Sequence, residues 1–318
     1  MQLEDFDYVL PQDLIAQEPI EPRDAARLLV DQGSDAPMHR HMSDFAEFCQ
    51  SGDVLVVNDT KVIPARLRCL RASGGSAEVL LLEQHDATTA RWEALVRPAR
   101  KLKEGETLFA GDGTEIVRIE KRTEAGDTFF VTLLGSDVSQ LLDRYGEMPL
   151  PPYITTALER AERYQTVYAN RATSAAAPTA GLHFPPTLLD SLRSRGVKIL
   201  TVDLTVGLDT FAPVTVRNPL EHVIHTESYR LSAETLEQCR AACRVIAVGT
   251  TTTRTLESAA NTGMLEGRTN LFITRGYEFK LVDLLLTNFH MPRTTLLMLV
   301  DAFIGRRWRD LYATAIDE

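Results

Sequence analysis

The sequence is short of cysteine, of long apolar runs and of positive charge, and each shortage removes a class of protein. Four cysteines in 318 residues, Cys49, Cys69, Cys239 and Cys243, are too sparse for a disulfide framework. No stretch approaches the apolar length that crosses a bilayer, and the acidic start MQLEDFDYVLP lacks the basic-then-apolar pattern of a secretion signal. These absences predict a cytoplasmic protein without membrane contact. Neither G-x-G-x-x-G nor G-x-x-x-x-G-K occurs in a useful context, which disfavours a nicotinamide or nucleoside-triphosphate enzyme. A G-x-S-x-G nucleophile elbow is missing too. The net charge of −10 argues against indiscriminate binding of nucleic acid, though it leaves room for a local basic patch.

A zinc site can be written from Cys239 and Cys243 with His222 and His225 of EHVIH, but the cysteines stand one helical turn apart rather than in a tight knuckle. Two thiols on a packed helix face is the expectation, and no metal is predicted.

What is present is an ordinary globular composition, 44% hydrophobic and 25% charged, in a chain long enough for two domains. Residues 64–150 carry short β-branched and apolar runs, SAEVLLLE, RWEALVRP, TEIVRIEKR and DTFFVTLLG, separated by SGG, AGDG and EAGD. That is the turn chemistry of consecutive antiparallel hairpins and predicts a small β-barrel or sandwich. The flanks, 1–63 and 151–318, differ. There GDVLVV, VKILTVDL, RVIAVG and LVDLLL read as strands buried on both faces, with helical segments such as PPTLLDSLRSRG and SAETLEQCRAAC among them. The fold class predicted is α/β, one discontinuous α/β domain interrupted by an all-β insertion.

Each buried strand runs into a polar cluster, and in open α/β sheets ligands sit beyond the carboxyl ends of strands. Four clusters therefore predict one crevice. In VIAVGTTTTRTLESAA a glycine ends a strand and threonines open a helix whose free N–H groups can hold an anion, or whose Thr252 or Thr253 merely caps it. His183 in APTAGLHF, His222 and His225 in EHVIHTES, and His290 in TNFHMP are candidate proton carriers; some are structural, and spacing does not say which. Arg97, Arg100, Lys101 and Lys103 form a candidate nucleic-acid patch, as do Arg66, Arg68 and Arg71, and Arg306, Arg307 and Arg309.

With LPQDLIAQEP, RDAARLLV, GDVLVVNDTKVIPARL, GEMPLPPYI, AAAPTAGLHF, VGLDTFAPV, EHVIHTE, VIAVGTTTTRTLESAA and LLTNFHMPRTTLLMLVDAFIG in view, the chain closely resembles the S-adenosylmethionine:tRNA ribosyltransferase-isomerases of queuosine biosynthesis. The resemblance implies transfer of the ribosyl part of S-adenosylmethionine to 7-aminomethyl-7-deazaguanine in the anticodon loop of tRNA, giving epoxyqueuosine and releasing adenine and methionine. It implies S-adenosylmethionine as co-substrate with no true cofactor, and a monomer. His183, His222, His225 and Asp209 are then the catalytic candidates, with His183 favoured. Thr179, Thr250, Thr251, Thr252, Arg254, Asn288 and His290 become candidates for holding the co-substrate, and Tyr153, Tyr168, Phe184 and Phe211 for stacking a splayed base. Thr205 stands where many members have histidine, Asp209 where many have glycine, and members usually continue past the position of Glu318 into an aromatic segment. Those departures suggest a tRNA-binding paralogue without ribosyl transfer as the alternative.

Overall fold

Six short strands that alternate in burial close on themselves into a barrel. In the computed structural model, which describes residues 1–124, 126–205, 214–224 and 226–318, Arg66–Arg71, Ser76–Asp86, Arg91–Arg97, Phe129–Leu133, Glu115–Arg122 and Thr107–Phe109 pair antiparallel in that order. Thr107–Phe109 then pairs back onto Arg66–Arg71, with Leu70 opposite Phe109. Closure leaves the ring no free edge for stray pairing. Every second side chain points inward, as strand geometry requires, so Leu67 and Cys69, Val79 and Leu81, Trp92, Ala94 and Val96, and Val131 and Leu133 fill one core. Helix Val138–Tyr145, capped by the Asp137 carboxylate on the amides of Ser139 and Gln140, adds Leu141 and Leu142 to it. The chain leaves and re-enters at one place: a Cβ on Gly146 would lie 2.2 Å from the Pro64 carbonyl oxygen, so only glycine fits there.

The rest of the chain builds a six-stranded sheet in the order Glu266–Thr269, Glu227–Leu231, Lys198–Leu204, Asp53–Asn58, Arg244–Val248, Leu284–Leu286. The last four strands are parallel; the first two extend the sheet antiparallel. Asp53–Asn58 lies centrally and is buried at all six positions, which its continuous apolar run dictates. On one face Val54, Val56, Val245 and Ala247 pack against Leu256 and Ala259 of helix Thr250–Thr262 and against Leu236 and Cys239 of helix Ala233–Ala241. On the other, Leu55, Val57, Ile246 and Val248 pack against Leu188, Leu189 and Leu192 of helix Pro186–Ser194. Each such fully buried aliphatic side chain contributes about 1.5–3 kcal/mol.

Two expectations need correction. LVDLLL forms only a three-residue edge strand, because Glu257 takes the amides of Lys280, Leu281 and Val282, and Asp283 accepts from the Val245 amide. Cys239 and Cys243 do not share a packed face: the helix ends at Ala241, and Cys243 is exposed.

Candidate active site

Strands Arg244–Val248 and Leu284–Leu286 run side by side and end together, Val248 opposite Leu286. Gly249, at φ +90°, turns the first into helix Thr250–Thr262, and its N–H donates to the Leu286 carbonyl at 2.7 Å. That backbone conformation favours glycine, which is why the sequence breaks its apolar run there. The first-turn amides of the helix have no acceptor within it and carry the positive end of its dipole. Thr250 and Thr251 line a cavity of about 730 Å³, together with Thr287, Asn288, Phe289 and His290 from the neighbouring strand end. The turn Thr179–His183 forms another wall, tied across by the Thr179 hydroxyl, which donates to Asn288 Oδ1 at 3.0 Å. The N-terminal segment completes the enclosure, with Gln17 bonded to the Tyr153 carbonyl and the Thr155 amide.

His183 lies in this cavity with Nδ1 3.3 Å from the Ala180 carbonyl. A carbonyl can only accept, so this bond places the ring proton on Nδ1 and leaves the Nε2 lone pair unprotonated. Burial lowers the pKa of His183 below its ordinary 6.5, against the pull of the Ala180 bond, and the nearby Arg23 charge lowers it further. The ring is neutral at physiological pH and able to take a proton. His290 differs. Its Nε2 meets the Thr287 hydroxyl at 3.1 Å, its amide donates to Tyr312 Oη at 2.9 Å, and its carbonyl accepts from Tyr8 Oη at 2.5 Å. Burial takes its pKa down to about 4. So many bonds fix the cavity wall at this residue.

The cavity is cationic in a chain that is acidic overall. Among the described residues its lining includes Arg23, Arg27, Arg40 and Arg163 against Glu18 and Glu318. Arg23 donates to the Leu182 carbonyl at 2.8 Å and so braces the turn that carries His183. Sequence reasoning did not single out these arginines; the signal available was Arg23 and Arg27, four apart in RDAARLLV. Phe289, 53% exposed at the cavity lining, was likewise not singled out.

Among the described residues the other candidates lie elsewhere, some of them at a second cavity. Thr252 is fully buried and its hydroxyl donates back to the Val248 carbonyl at 2.7 Å, as Thr253 does to Gly249, so neither faces the main cavity. Arg254 and His222 line a second cavity of about 590 Å³. Asn58 acts as a clamp between strands, donating to the Leu204 carbonyl at 3.1 Å and accepting from the Thr60 hydroxyl at 2.5 Å. Asp209, His225 and Phe211 lie outside the described residues. Phe184 is buried in the core against Phe45 and Tyr168 is packed under Gly181, whereas Tyr153 lines the main cavity. Arg97, Arg100, Lys101 and Lys103 are exposed on the barrel and line neither cavity. Arg68, Arg71 and Arg307 are paired with Glu147, Glu106 and Asp31. Among the described residues no group of three or more His, Cys, Asp or Glu could hold a metal ion, and no helix is long and apolar enough to cross a membrane.

A neutral histidine and the first-turn amides of a helix share a cleft beyond the ends of parallel strands, the place where α/β proteins of the open-sheet class bind ligands. The chain belongs to the queuosine biosynthesis protein family, whose pattern matches residues 3–318. It is 49% identical to the S-adenosylmethionine:tRNA ribosyltransferase-isomerase of Moorella thermoacetica, over 100% of this chain and 96% of that one. It is also 49% identical to the protein of the same name from Symbiobacterium thermophilum, over 96% of this chain and 92% of that one. The crystal structure of the S-adenosylmethionine tRNA ribosyltransferase from Thermotoga maritima superposes with a TM-score of 0.54 at 36% identity, covering 98% of this chain and 94% of that chain.

Proposed function

We propose that the chain is an S-adenosylmethionine:tRNA ribosyltransferase-isomerase that moves the ribosyl part of its co-substrate onto 7-aminomethyl-7-deazaguanine in the anticodon loop, giving epoxyqueuosine and releasing adenine and methionine. The names of its relatives support the enzyme class, and nothing in the comparisons favours a paralogue without chemistry. The observation that carries the site assignment is His183, held as a neutral base by the Ala180 carbonyl inside the cationic cavity.

The nucleophile is the substrate's own amine, so the protein needs no nucleophilic side chain. What it supplies is a base for the carbon proton next to the sulfonium, which the positive sulfur acidifies, and His183 Nε2 is free for that proton. It also holds two substrates in register, a large source of rate. Thr250, Thr251, Thr179 and Asn288 present hydroxyls, amides and an amide side chain to the ribose and its neighbours. Arg27 and Arg40, both exposed at the lining, face the phosphates of the loop, and Tyr153 or Phe289 offers a ring to the splayed base. We read it as acting as a monomer in the cytoplasm. Product analysis tests the reading. Incubation with S-adenosylmethionine and tRNA bearing the aminomethyl base is expected to release adenine and methionine; S-adenosylhomocysteine instead would mean methyl transfer and refute it.

A further inference from the structure

The second cavity lies where barrel and sheet meet, and its charge is opposite to that of the first. Glu83 and Glu93 reach it from barrel strands, and Glu227, Arg254 and His222 from the α/β part. Among the described residues two arginines face four carboxylates there. Arg254 is only 6% exposed. Its Nε donates to the Leu271 carbonyl at 3.2 Å and its Nη1 to Glu227, but its Nη2 is buried with no hydrogen-bond partner. Buried guanidinium donors are rarely left unpaired, because the desolvation penalty then stands uncompensated. An orphan donor at a cavity wall is therefore placed for an acceptor that a ligand brings.

The acceptor that suits a guanidinium is a carboxylate or phosphate. A plain anion is disfavoured by the surrounding carboxylates, so the ligand must carry positive charge as well. An α-amino acid bearing a further cation satisfies both conditions. We propose that Arg254 binds the α-carboxylate of S-adenosylmethionine, and that the acidic lining holds its ammonium. The inference rests on the reaction proposed above and assigns the amino-acid end of the donor to a different cavity from the tRNA. Arg254 follows Thr250 by one helical turn, about 6 Å along the axis, and Leu296 lines both cavities. On this proposal the donor reaches from Arg254 past Leu296, with its sulfonium and ribosyl part at the Thr250 end, where His183 lies.

The test uses the full chain, L-methionine, its methyl ester and 5′-methylthioadenosine as inhibitors, and the variants Arg254→Gln and Arg254→Lys. Arg254→Gln is expected to raise KM for S-adenosylmethionine at least tenfold while leaving KM for tRNA unchanged, and to abolish inhibition by L-methionine but not by methylthioadenosine. Arg254→Lys restores part of the L-methionine effect, which a purely structural role would not. Since Arg254→Gln removes the cation paired with Glu227, the double variant Arg254→Gln/Glu227→Gln, neutral at both positions, is read in the same way should the single variant fail to fold. In the unaltered protein the methyl ester, lacking the carboxylate, inhibits far less than L-methionine. Equal inhibition by the two, or an unchanged KM for the donor in a folded variant, overturns the proposal. Loss of adenine and methionine as products of the unaltered protein would instead refute the reaction, an outcome these KM comparisons do not mimic.

Discussion

Replacing His183 separates chemistry from folding in one experiment. The ring is half-buried and its one hydrogen bond is to Ala180 at 3.3 Å, so its removal costs about 1 kcal/mol of stability, the net worth of such a bond. In a chain of this size that is a shift of about 1–2 °C in melting temperature. A positioned general base contributes roughly 100- to 10,000-fold in rate, or about 3–5 kcal/mol in the barrier. The kinetic effect therefore exceeds the structural one severalfold. His183→Asn sharpens the contrast, because the new side-chain amide can still donate to the Ala180 carbonyl but cannot accept the substrate proton. Adenine release under single-turnover conditions, with both substrates saturating, is expected to fall at least 100-fold for Asn as for Ala, with Asn near the parent in stability. The pH profile gives the sign. The active form is neutral and its pKa lies below 6.5, so turnover is flat above that pH and falls only as pH drops through the lowered value. His183→Asn with turnover within threefold of the parent, or an acid limb centred above pH 6.5, refutes the role.

Three further outcomes follow from the same contacts. The folded pKa of His290 is about 4 against 6.5 unfolded, so the unfolded chain binds the extra proton first and stability falls as pH drops from 6.5 towards 4, by about 3 kcal/mol; urea unfolding of the parent and of His290→Gln across that range should differ in slope, and parallel curves would contradict it. Glu257, fully buried, accepts from the amides of Lys280, Leu281 and Val282 and from Tyr277 Oη at 2.9–3.0 Å; Glu257→Gln turns donors against donors and should lower unfolding stability by about 3 kcal/mol or more, measured by urea midpoint. Replacing Arg27 and Arg40 together should reduce the slope of log affinity for tRNA against log salt by about 1.5, and replacing Arg97, Arg100 and Lys101 tests the barrel patch by the same measurement; an unchanged slope in either set returns those side chains to plain surface.

Hydrophobic periodicity and turn residues made the barrel and the parallel strands legible, because those elements are set by local chemistry. The period-two runs between SGG, AGDG and EAGD became the strands of the ring, and GDVLVV became the strand buried on both sides. Gly249 could be read as a strand end, since only a left-handed backbone position makes glycine useful there. What could not be read was which way a side chain points once tertiary partners compete for it. TTTT is one residue type four times, yet two of its hydroxyls turn back on Val248 and Gly249 while Thr250 and Thr251 line the cavity. Arg254 looked like a cation beside those threonines and instead pairs with Glu227, twenty-seven positions away in sequence. The arginines at 23, 27 and 40 come from a single 3-10 turn and a ribbon of two four-residue strands, Arg27–Val30 and Met38–His41, too short for a period to announce a wall.

The inserted barrel has a consequence for chemistry as well as for topology. Its strand Ser76–Asp86 brings Glu83 against the α/β part, where the carboxylate accepts from the Ser228 hydroxyl at 2.5 Å and from Arg268 at 2.5 Å. Those bonds seat one wall of the second cavity, and Glu93 from the neighbouring strand extends it. Without the insertion that wall would lose its barrel carboxylates, and Arg254 would face a cavity with less negative charge. The two cavities would then differ less in sign, although one is proposed to take a polyanion and the other the ammonium end of the donor. Electrostatic complementarity of this kind favours the tRNA in the first cavity and the amino-acid end of the donor in the second, and disfavours the exchange. The barrel, on this reading, is what keeps a cationic donor and an anionic acceptor in order at the two ends of one helical turn.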